Sequence, residues 1–572
     1  MPSAQHNIGA VVCTGPVVLS LITAANAQVL PLPPNSIDEP LIERELIELP
    51  EKQPPVLEVP VLPSAPIQEI SPNISTLFVS TVQFVGNTVF TNEQLQAIAQ
   101  PYTDRFLTYE DLVRLRSDLT NFYVRNGYTF SGVYIPAIGN EFVDPSDATI
   151  TLQVAEGSIE RIVFVGDKRL ESYVRERLEF AFTPLNQPRL EAAIRLLQND
   201  PFVQSISANI APGSAEDRFI LEVQAAAQPT LDIRVGTDNQ RLPSVGSVQT
   251  QAELTASNLL GAGEQVRVSY GRTEGSNTYD VQVGAPVNRW NGTLSFAYAS
   301  IDGRITEDPI EEFDIRTDSQ LYTVSFEQPV IRKVTEDVVE TLAVGISATR
   351  LNTEATLSGI PFPLSPGANA NGTTRVTELS FFQSYLNRTQ ASALYAGSEF
   401  NLGLDAFNAT VGSEPDAQYL IWRGQTIWLQ RVFNSAQLSL TGALQLSSDP
   451  LIPFSQFSLG GPNSIRGYRQ DALLADSGAS LTAELQVPIV STQDGQQLSL
   501  IPFTGVAVGW NNNRNRALDT NVLSSIGLGG QYEWKDFAAR INYAIPFTSI
   551  AGTGDSLQEQ GIDFEVRYRL RF

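Results

Sequence analysis

The side chains that most often carry chemistry are nearly absent from this chain. It contains one His (His6), one Cys (Cys13) and one Met (Met1), all within the first 27 residues. Those residues read as a secretory signal peptide: an apolar run from Ile8 to Ala24 leads into Ala25-Asn26-Ala27-Gln28, an A-x-A cleavage pattern. A membrane anchor would need about 20 apolar residues, whereas this run is broken by Gly15 and Pro16 and followed by no stop-transfer charges. Cys13, preceded by Val11 and Val12, is in a poor setting for lipidation. With residues 1–27 removed, the mature chain has no Cys, His or Met. That excludes a disulfide scaffold, a Cys or His metal centre, and nucleophilic schemes that use Cys as nucleophile or His as base. Asp/Glu chemistry stays formally open, but no carboxylate pair stands out. Gly261-Ala262-Gly263 and Gly527-Leu528-Gly529-Gly530 open no helix after a parallel strand, as phosphate-binding loops do, and read as turn and strand glycines. The expectation is a protein that is no enzyme, with no catalytic residue, metal or cofactor.

What remains must act through architecture. At 572 residues the chain is long enough for several domains. A mean hydropathy of −0.07 and the lack of a later apolar 20-mer exclude helical membrane spans. A net charge of −25 argues against nucleic-acid binding through its backbone.

From Thr230 to Phe572 the sequence falls into sixteen segments of alternating residues separated by turns, the pattern of a transmembrane β-barrel. Gln265–Tyr270, Thr293–Ala299, Leu321–Phe326, Gln418–Trp428 and Leu438–Leu446 are clear examples. In the last segment Phe564, Val566, Tyr568, Leu570 and Phe572 face one side, while Glu565, Arg567, Arg569 and Arg571 face the other. A soluble β-sandwich also alternates, so loop lengths decide. Short connections (258–263, 286–291, 387–390, 533–537) are expected to alternate with long ones (301–318, 352–374, 406–416, 511–521, 548–561), the asymmetry of outer-membrane barrels. The alternating strand ending in Tyr568, Leu570 and Phe572 looks like the C-terminal signal read by barrel assembly machinery.

Two further regions precede the barrel. Residues 28–74 are Pro-rich and acidic, the composition of an extended linker; only Leu41–Leu49, between Pro40 and Pro50, has the spacing of a short helix. Residues 75–226 hold an internal repeat, Phe84-Val85-Gly86-Asn87 and, eighty positions on, Phe164-Val165-Gly166-Asp167. Each copy opens on an alternating strand, Phe78–Phe84 and Ile159–Val165. The first continues with a capping box at Thr108 and Asp111, a helix through Leu112, Leu115, Leu119 and Phe122 that ends at Gly127, and strands Tyr128–Ile135 and Ala148–Val154. The second has Asn186 as N-cap, a helix through Leu190, Ile194 and Leu197, and strands Val203–Ile210 and Phe219–Val223. This β-α-α-β-β order, twice, resembles POTRA domains, placed at 75–156 and 157–226. Their sheet edges would let an extended client add a strand with little sequence preference.

The sixth long connection, 447–477, contains Phe457-Ser458-Leu459-Gly460-Gly461-Pro462-Asn463-Ser464-Ile465-Arg466-Gly467-Tyr468. This run resembles the loop-six motif of the two-partner secretion transporters, the haemolysin and filamentous haemagglutinin secretion family. That family belongs to the superfamily that includes barrel assembly factors, and the resemblance runs from about residue 29 to 572. Gly460, Gly461 and Gly467 permit backbone conformations other residues avoid, which suits a loop folded back into a pore with Arg466 reaching its wall. The resemblance implies that Arg466 pairs with an acidic residue on an inward strand face. The family's F-x-D motif reads Phe503-Thr504-Gly505 here, so Gly505 stands in the acidic place. Glu484, alternating with Leu481, Ala483, Leu485 and Val487, is the expected substitute.

The family resemblance implies an all-β 16-stranded transmembrane barrel preceded by two α+β POTRA domains, in the bacterial outer membrane with the POTRA pair in the periplasm. It implies a monomer that captures an unfolded exoprotein, a β-helical secreted client, and passes it through the barrel. A barrel-assembly insertase shares the POTRA and loop-six features, and a passive porin is a third reading. Outer-membrane lipid and the barrel assembly machinery are the other partners implied.

Overall fold

The computed structural model describes residues 57–58, 76–136, 147–335, 337–412, 414–512, 518, 520–550 and 554–572. Residues 1–27, the proposed helix at 41–49 and most of the 28–74 linker lie outside them.

The first α+β unit is a four-stranded sheet in the order Arg105–Leu107, Leu77–Val85, Ala148–Ala155, Gly132–Tyr134. Helices Asn92–Ala99 and Tyr109–Arg125 cover it, and Leu95, Leu115, Leu119, Tyr123 and Leu152 are fully buried between the layers. Each helix starts at a reciprocal capping box, Thr91 with Gln94 and Thr108 with Asp111, which satisfies N–H groups that the first turn leaves open. The sequence gives no sign of the Arg105–Leu107 edge strand, and the expected strand Tyr128–Ile135 contracts to Gly132–Tyr134.

The second unit repeats the plan. Strands Val203–Pro212, Arg218–Ala227 and Ser158–Gly166 lie side by side in that order, with helices Lys168–Leu178 and Gln187–Gln198 on one face. Asn186 caps the second helix by accepting from the Arg189 N–H. The linker makes one contact that composition does not foretell: Leu57–Glu58 pair in parallel with Ala208 and Asn209 along the Val203–Pro212 edge, and Leu57 joins the unit's core. Two residues are too few for periodicity to reveal, and a Pro-rich setting hides them.

Sixteen antiparallel strands then close on themselves. Strands 1 to 8 are Leu231–Asp238, Gln249–Ser257, Gln265–Arg272, Ser276–Pro286, Thr293–Arg304, Ile315–Val334, Val338–Leu357 and Thr373–Thr389. Strands 9 to 16 are Ser392–Gly403, Leu420–Val432, Ala436–Ser447, Ser477–Ser491, Gln496–Trp510, Val522–Trp534, Phe537–Pro546 and Ile562–Arg571. Closure leaves no backbone edge open to lipid, which a spanning sheet requires. Outward-pointing Leu294, Phe296, Val324, Ile346, Phe381, Leu481, Leu528, Ile541 and Tyr568 are exposed, forming an apolar belt.

Every connection on the end nearest the second unit is a turn, and most on the opposite end are loops. Expectations about the loop end change in two ways. The connections at 301–318 and 352–374 narrow to 305–314 and 358–372, because ladder pairing continues to Arg304 opposite Arg316 and to Leu357 opposite Ile315; backbone bonds do not need the apolar side chains from which strand ends are read. The second loop-end connection, 273–275, is a tight turn closed by the Thr273 N–H on Ser276 O at 2.9 Å and covered by Val245 O, which accepts from the Gly275 N–H at 2.9 Å. It breaks the simple alternation of long with short.

Candidate functional site: the loop-six tip in the barrel lumen

Loop six runs between strands 11 and 12. Its base is organised by Asp476, fully buried, whose carboxylate accepts from the Leu451 N–H, the Gln456 amide and the Asn512 N–H, each at 3.0 Å. Gln445 on strand 11 donates to Ser455 O (2.9 Å) and Asp476 O (3.1 Å). From this base Phe457–Leu459 and Leu473–Ala475 pair as a small hairpin. Residues 460–472 form its tip.

The tip needs its glycines. Gly460, Gly461 and Gly467 take φ of +94°, +105° and +93°, values that side-chain-bearing residues rarely adopt. A Cβ on Gly460 would stand 2.7 Å from Ala472 Cβ, and one on Gly461 would stand 2.9 Å from Gln470 Cα. Gly467 sits against Ala544 on strand 15.

This backbone sends Ile465, Arg466 and Tyr468 to three parts of the wall. Ile465 is fully buried with Leu459, Ala507 and Leu523. The Tyr468 hydroxyl donates to Ser524 O at 2.9 Å and accepts from the Thr548 N–H at 3.1 Å. The guanidinium of Arg466 forms an ion pair with Glu484 on strand 12 and lies 4.6 Å from the centre of the Phe503 ring on strand 13. The structure therefore brings together Arg466 and Glu484, side chains 16% and 20% exposed, near the middle of the strand.

Gly505 explains why the acid stands on strand 12 rather than 13. It is opposite Thr482 and points inward. A Cβ there would lie 2.9 Å from Ile465 Cδ1, so the space a side chain would occupy is filled by the loop tip itself.

Two arginines were missed from sequence. Arg540 on strand 15 donates to the second oxygen of Glu484 at 2.8 Å, so that carboxylate joins two strands and the loop. The available signal was that Arg540 is the sole charge in Phe537–Pro546, as Glu484 is in Ser477–Ser491. Arg469 ties the tip to the loop end, contacting Glu307 (2.8 Å) and Glu559 (3.1 Å) from two other loops. Burial alone would raise Glu559, but the Ser556 hydroxyl, the Gly554 N–H and Arg469 hold it below the usual carboxylate range. Asp471 is the opposite case: burial pushes it up to about 6 against hydrogen bonds from Ser458 and Gln470.

Among the described residues no group of three or more His, Cys, Asp or Glu could hold a metal ion. Tyr568 and Leu570 on strand 16 and Phe572 just beyond it are exposed, and the Phe572 backbone pairs with Leu231 at both polar atoms.

A closed barrel entered by a long loop, preceded by α+β sheet units, defines the class of POTRA-barrel outer-membrane proteins. Residues 219–532 match the family model for haemolysin secretion/activation proteins ShlB/FhaC/HecB, and residues 77–157 match the ShlB-type POTRA domain. The chain belongs to that haemolysin secretion/activation family, an outer-membrane transporter family of the two-partner secretion type and not a family of enzymes. An outer membrane transporter CdiB from Dickeya dadantii is 22% identical over 433 residues, 72% of this chain and 73% of that protein. The solved structure of CdiB from Escherichia coli shares the fold at a TM-score of 0.66 and 17% identity, covering 98% of this chain and all of that one. BamA from Haemophilus ducreyi, lacking POTRA domains 1–3, shares it at 0.50 and 16% identity, covering 86% and 100%.

Proposed function

We propose that this transporter captures an unfolded secreted protein in the periplasm on the sheet edges of its two POTRA units. It then passes that protein through a lumen gated by loop six. The seating of the loop-six tip at mid-lumen, fixed by the Arg466–Glu484–Arg540 cluster, carries the reading. In a resting barrel so filled, passage requires the tip to leave. The Ser158–Gly166 strand has its neighbour on one side only among the described residues, leaving an edge on which an extended client can add main-chain hydrogen bonds. Folding of the client outside would withdraw it from the translocation equilibrium, giving direction without a nucleotide.

Planar-bilayer conductance of the purified protein tests the gate. Wild type is expected to show small, flickering currents, and deletion of Ser458–Asp471 large, steady ones. Identical porin-like conductance in both would remove loop six from the mechanism. The insertase reading has the shared fold with BamA in its favour; release of a client from cells dependent on this protein speaks for secretion, and accumulation of unfolded barrels on its depletion speaks for the insertase.

A further inference from the structure

A barrel of this kind has one joint that chain connectivity does not hold, between its first and last strands. Here strands 1 and 16 pair from Asp232 opposite Arg571 to Asp238 opposite Glu565. Pairing continues to the chain end, with the Leu231 N–H donating to Phe572 O (3.2 Å) and the Phe572 N–H to Leu231 O (2.9 Å). Beyond the other end of strand 1, Asn239 takes over with its side chain, donating to Ile562 O (2.9 Å) and accepting from the Phe564 N–H (2.8 Å).

Backbone pairing is common to every strand neighbour; the charges are not. Leu231 and Phe572 exchange both hydrogen bonds, so the lumen-facing positions 232, 234, 236 and 238 fall at the sites between such pairs, where side chains across the ladder stand closest. Asp232 occupies the first. One of its oxygens accepts a hydrogen bond from Arg569 Nε, is ion-paired with the same guanidinium, and has Arg571 at 3.8 Å, both arginines being on strand 16. Arg234 is 3.0 Å from its other oxygen and reaches on to Glu253 of strand 2 at 2.8 Å. A line of alternating charges thus crosses strands 16, 1 and 2. Parting the seam would separate Asp232 from two guanidinium groups and leave arginines facing one another along strand 16.

We infer that this seam is a latch with Asp232 as its central residue, and that strands 1 and 16 stay joined while the client travels along the lumen. The inference about the route rests on the transporter reading above; the latch itself does not. Any sideways release into lipid, as an insertase would need, is closed at this joint.

The sequence has no cysteine after Cys13, so one engineered disulfide in the barrel can be read cleanly. Asp238→Cys with Glu565→Cys joins a pair whose Cα atoms stand about 4.5 Å apart in such a site, within disulfide reach. Secretion of the client is expected to be the same, within about twofold, with the seam oxidised or reduced. Loss of secretion on oxidation, restored by reductant, would overturn the route. Asp232→Ala is expected to convert from folded to unfolded mobility on a detergent gel at a lower temperature than wild type, with Asp232→Arg/Arg569→Asp recovering part of the shift; an unchanged transition would overturn the latch. If no client is secreted in either redox state, the transporter reading fails, and the gel transition still decides the latch.

Discussion

Glu484 is shared, and sharing sets the order in which substitutions should act. Its two oxygens face Arg466 from the loop tip and Arg540 from strand 15. Exposed ion pairs contribute about 0–1 kcal/mol, and removing one partner of a buried pair costs about 3–5 kcal/mol; the exposures of 16% and 20% place this pair between the limits. Glu484→Gln leaves two guanidinium groups against an uncharged amide, whereas Arg540→Gln leaves the Arg466 pair intact. Glu484→Gln should therefore raise channel open probability about tenfold, corresponding to roughly 1.4 kcal/mol, and Arg540→Gln clearly less. If Glu484→Gln gates and secretes as wild type while Arg466→Ala blocks secretion, Arg466 works through some other partner. Glu484 was legible in the sequence because it is the one charge on an alternating strand. Arg540 has the same signature in its own strand, but its partner lies three strands away and meets it only through the curvature of the closed wall, which no local pattern encodes.

At the scale of elements, loop six and strand 13 are fitted to each other at one missing side chain. Ile465 lies where the side chain of residue 505 would stand, and Glu484 supplies the charge from the neighbouring strand. Gly505→Asp, which puts an acid where the family resemblance leads one to expect it, should then act as a lesion: it crowds Ile465 at 2.9 Å and places a second carboxylate near Glu484. Conductance should shift toward the open state. Ile465→Ala in the same chain makes room, letting the new aspartate reach Arg466, and should return the currents toward wild type. Gly505→Asp alone behaving as wild type would show that the tip does not press on this strand. Elements of this size were largely readable: strand alternation, the Thr108–Asp111 box and the Asn186 cap all follow from side-chain chemistry along one segment. The three-residue edge strand Arg105–Leu107, the Leu57–Glu58 contact and the strand extensions beyond the apolar belt were not, because they depend on backbone hydrogen bonds offered by a distant partner.

Across the whole molecule, the second α+β unit meets the barrel through helix Lys168–Leu178 at two turns and through helix Gln187–Gln198 against strand 6, and at the turns the fit is close. The Tyr173 ring covers Gly263 in the first turn, whose φ is +79° and whose added Cβ would stand 2.4 Å from the ring. Arg177 stacks 3.4 Å from the centre of that ring and donates to Asn291 in the second turn at 2.9 Å. The Tyr173 hydroxyl donates to Asp200 at 2.7 Å, beside a cavity of about 250 Å³ lined by Tyr173, Phe202, Gly263 and Asn291. Two turns, two helices and strand 6 thus hold the unit at a set angle to the lumen mouth. Gly263→Val adds strain at a positive φ and pushes on an aromatic ring that Asp200 and Arg177 hold in place. Secretion should fall severalfold, and amide exchange along Lys168–Leu178 should quicken as the helix lifts from the turns. The heat-induced unfolding of the barrel on a detergent gel should not move, since the sixteen-strand ladder does not pass through Gly263. Gly263→Ala combined with Tyr173→Ala, which removes the obstructing ring, should recover protection at the helix more than secretion, because the Asp200 and Arg177 contacts are lost with the tyrosine. If Gly263→Val leaves both exchange and secretion at wild-type levels, the joint is loose in solution and orientation of the unit is not what aims the client at the pore.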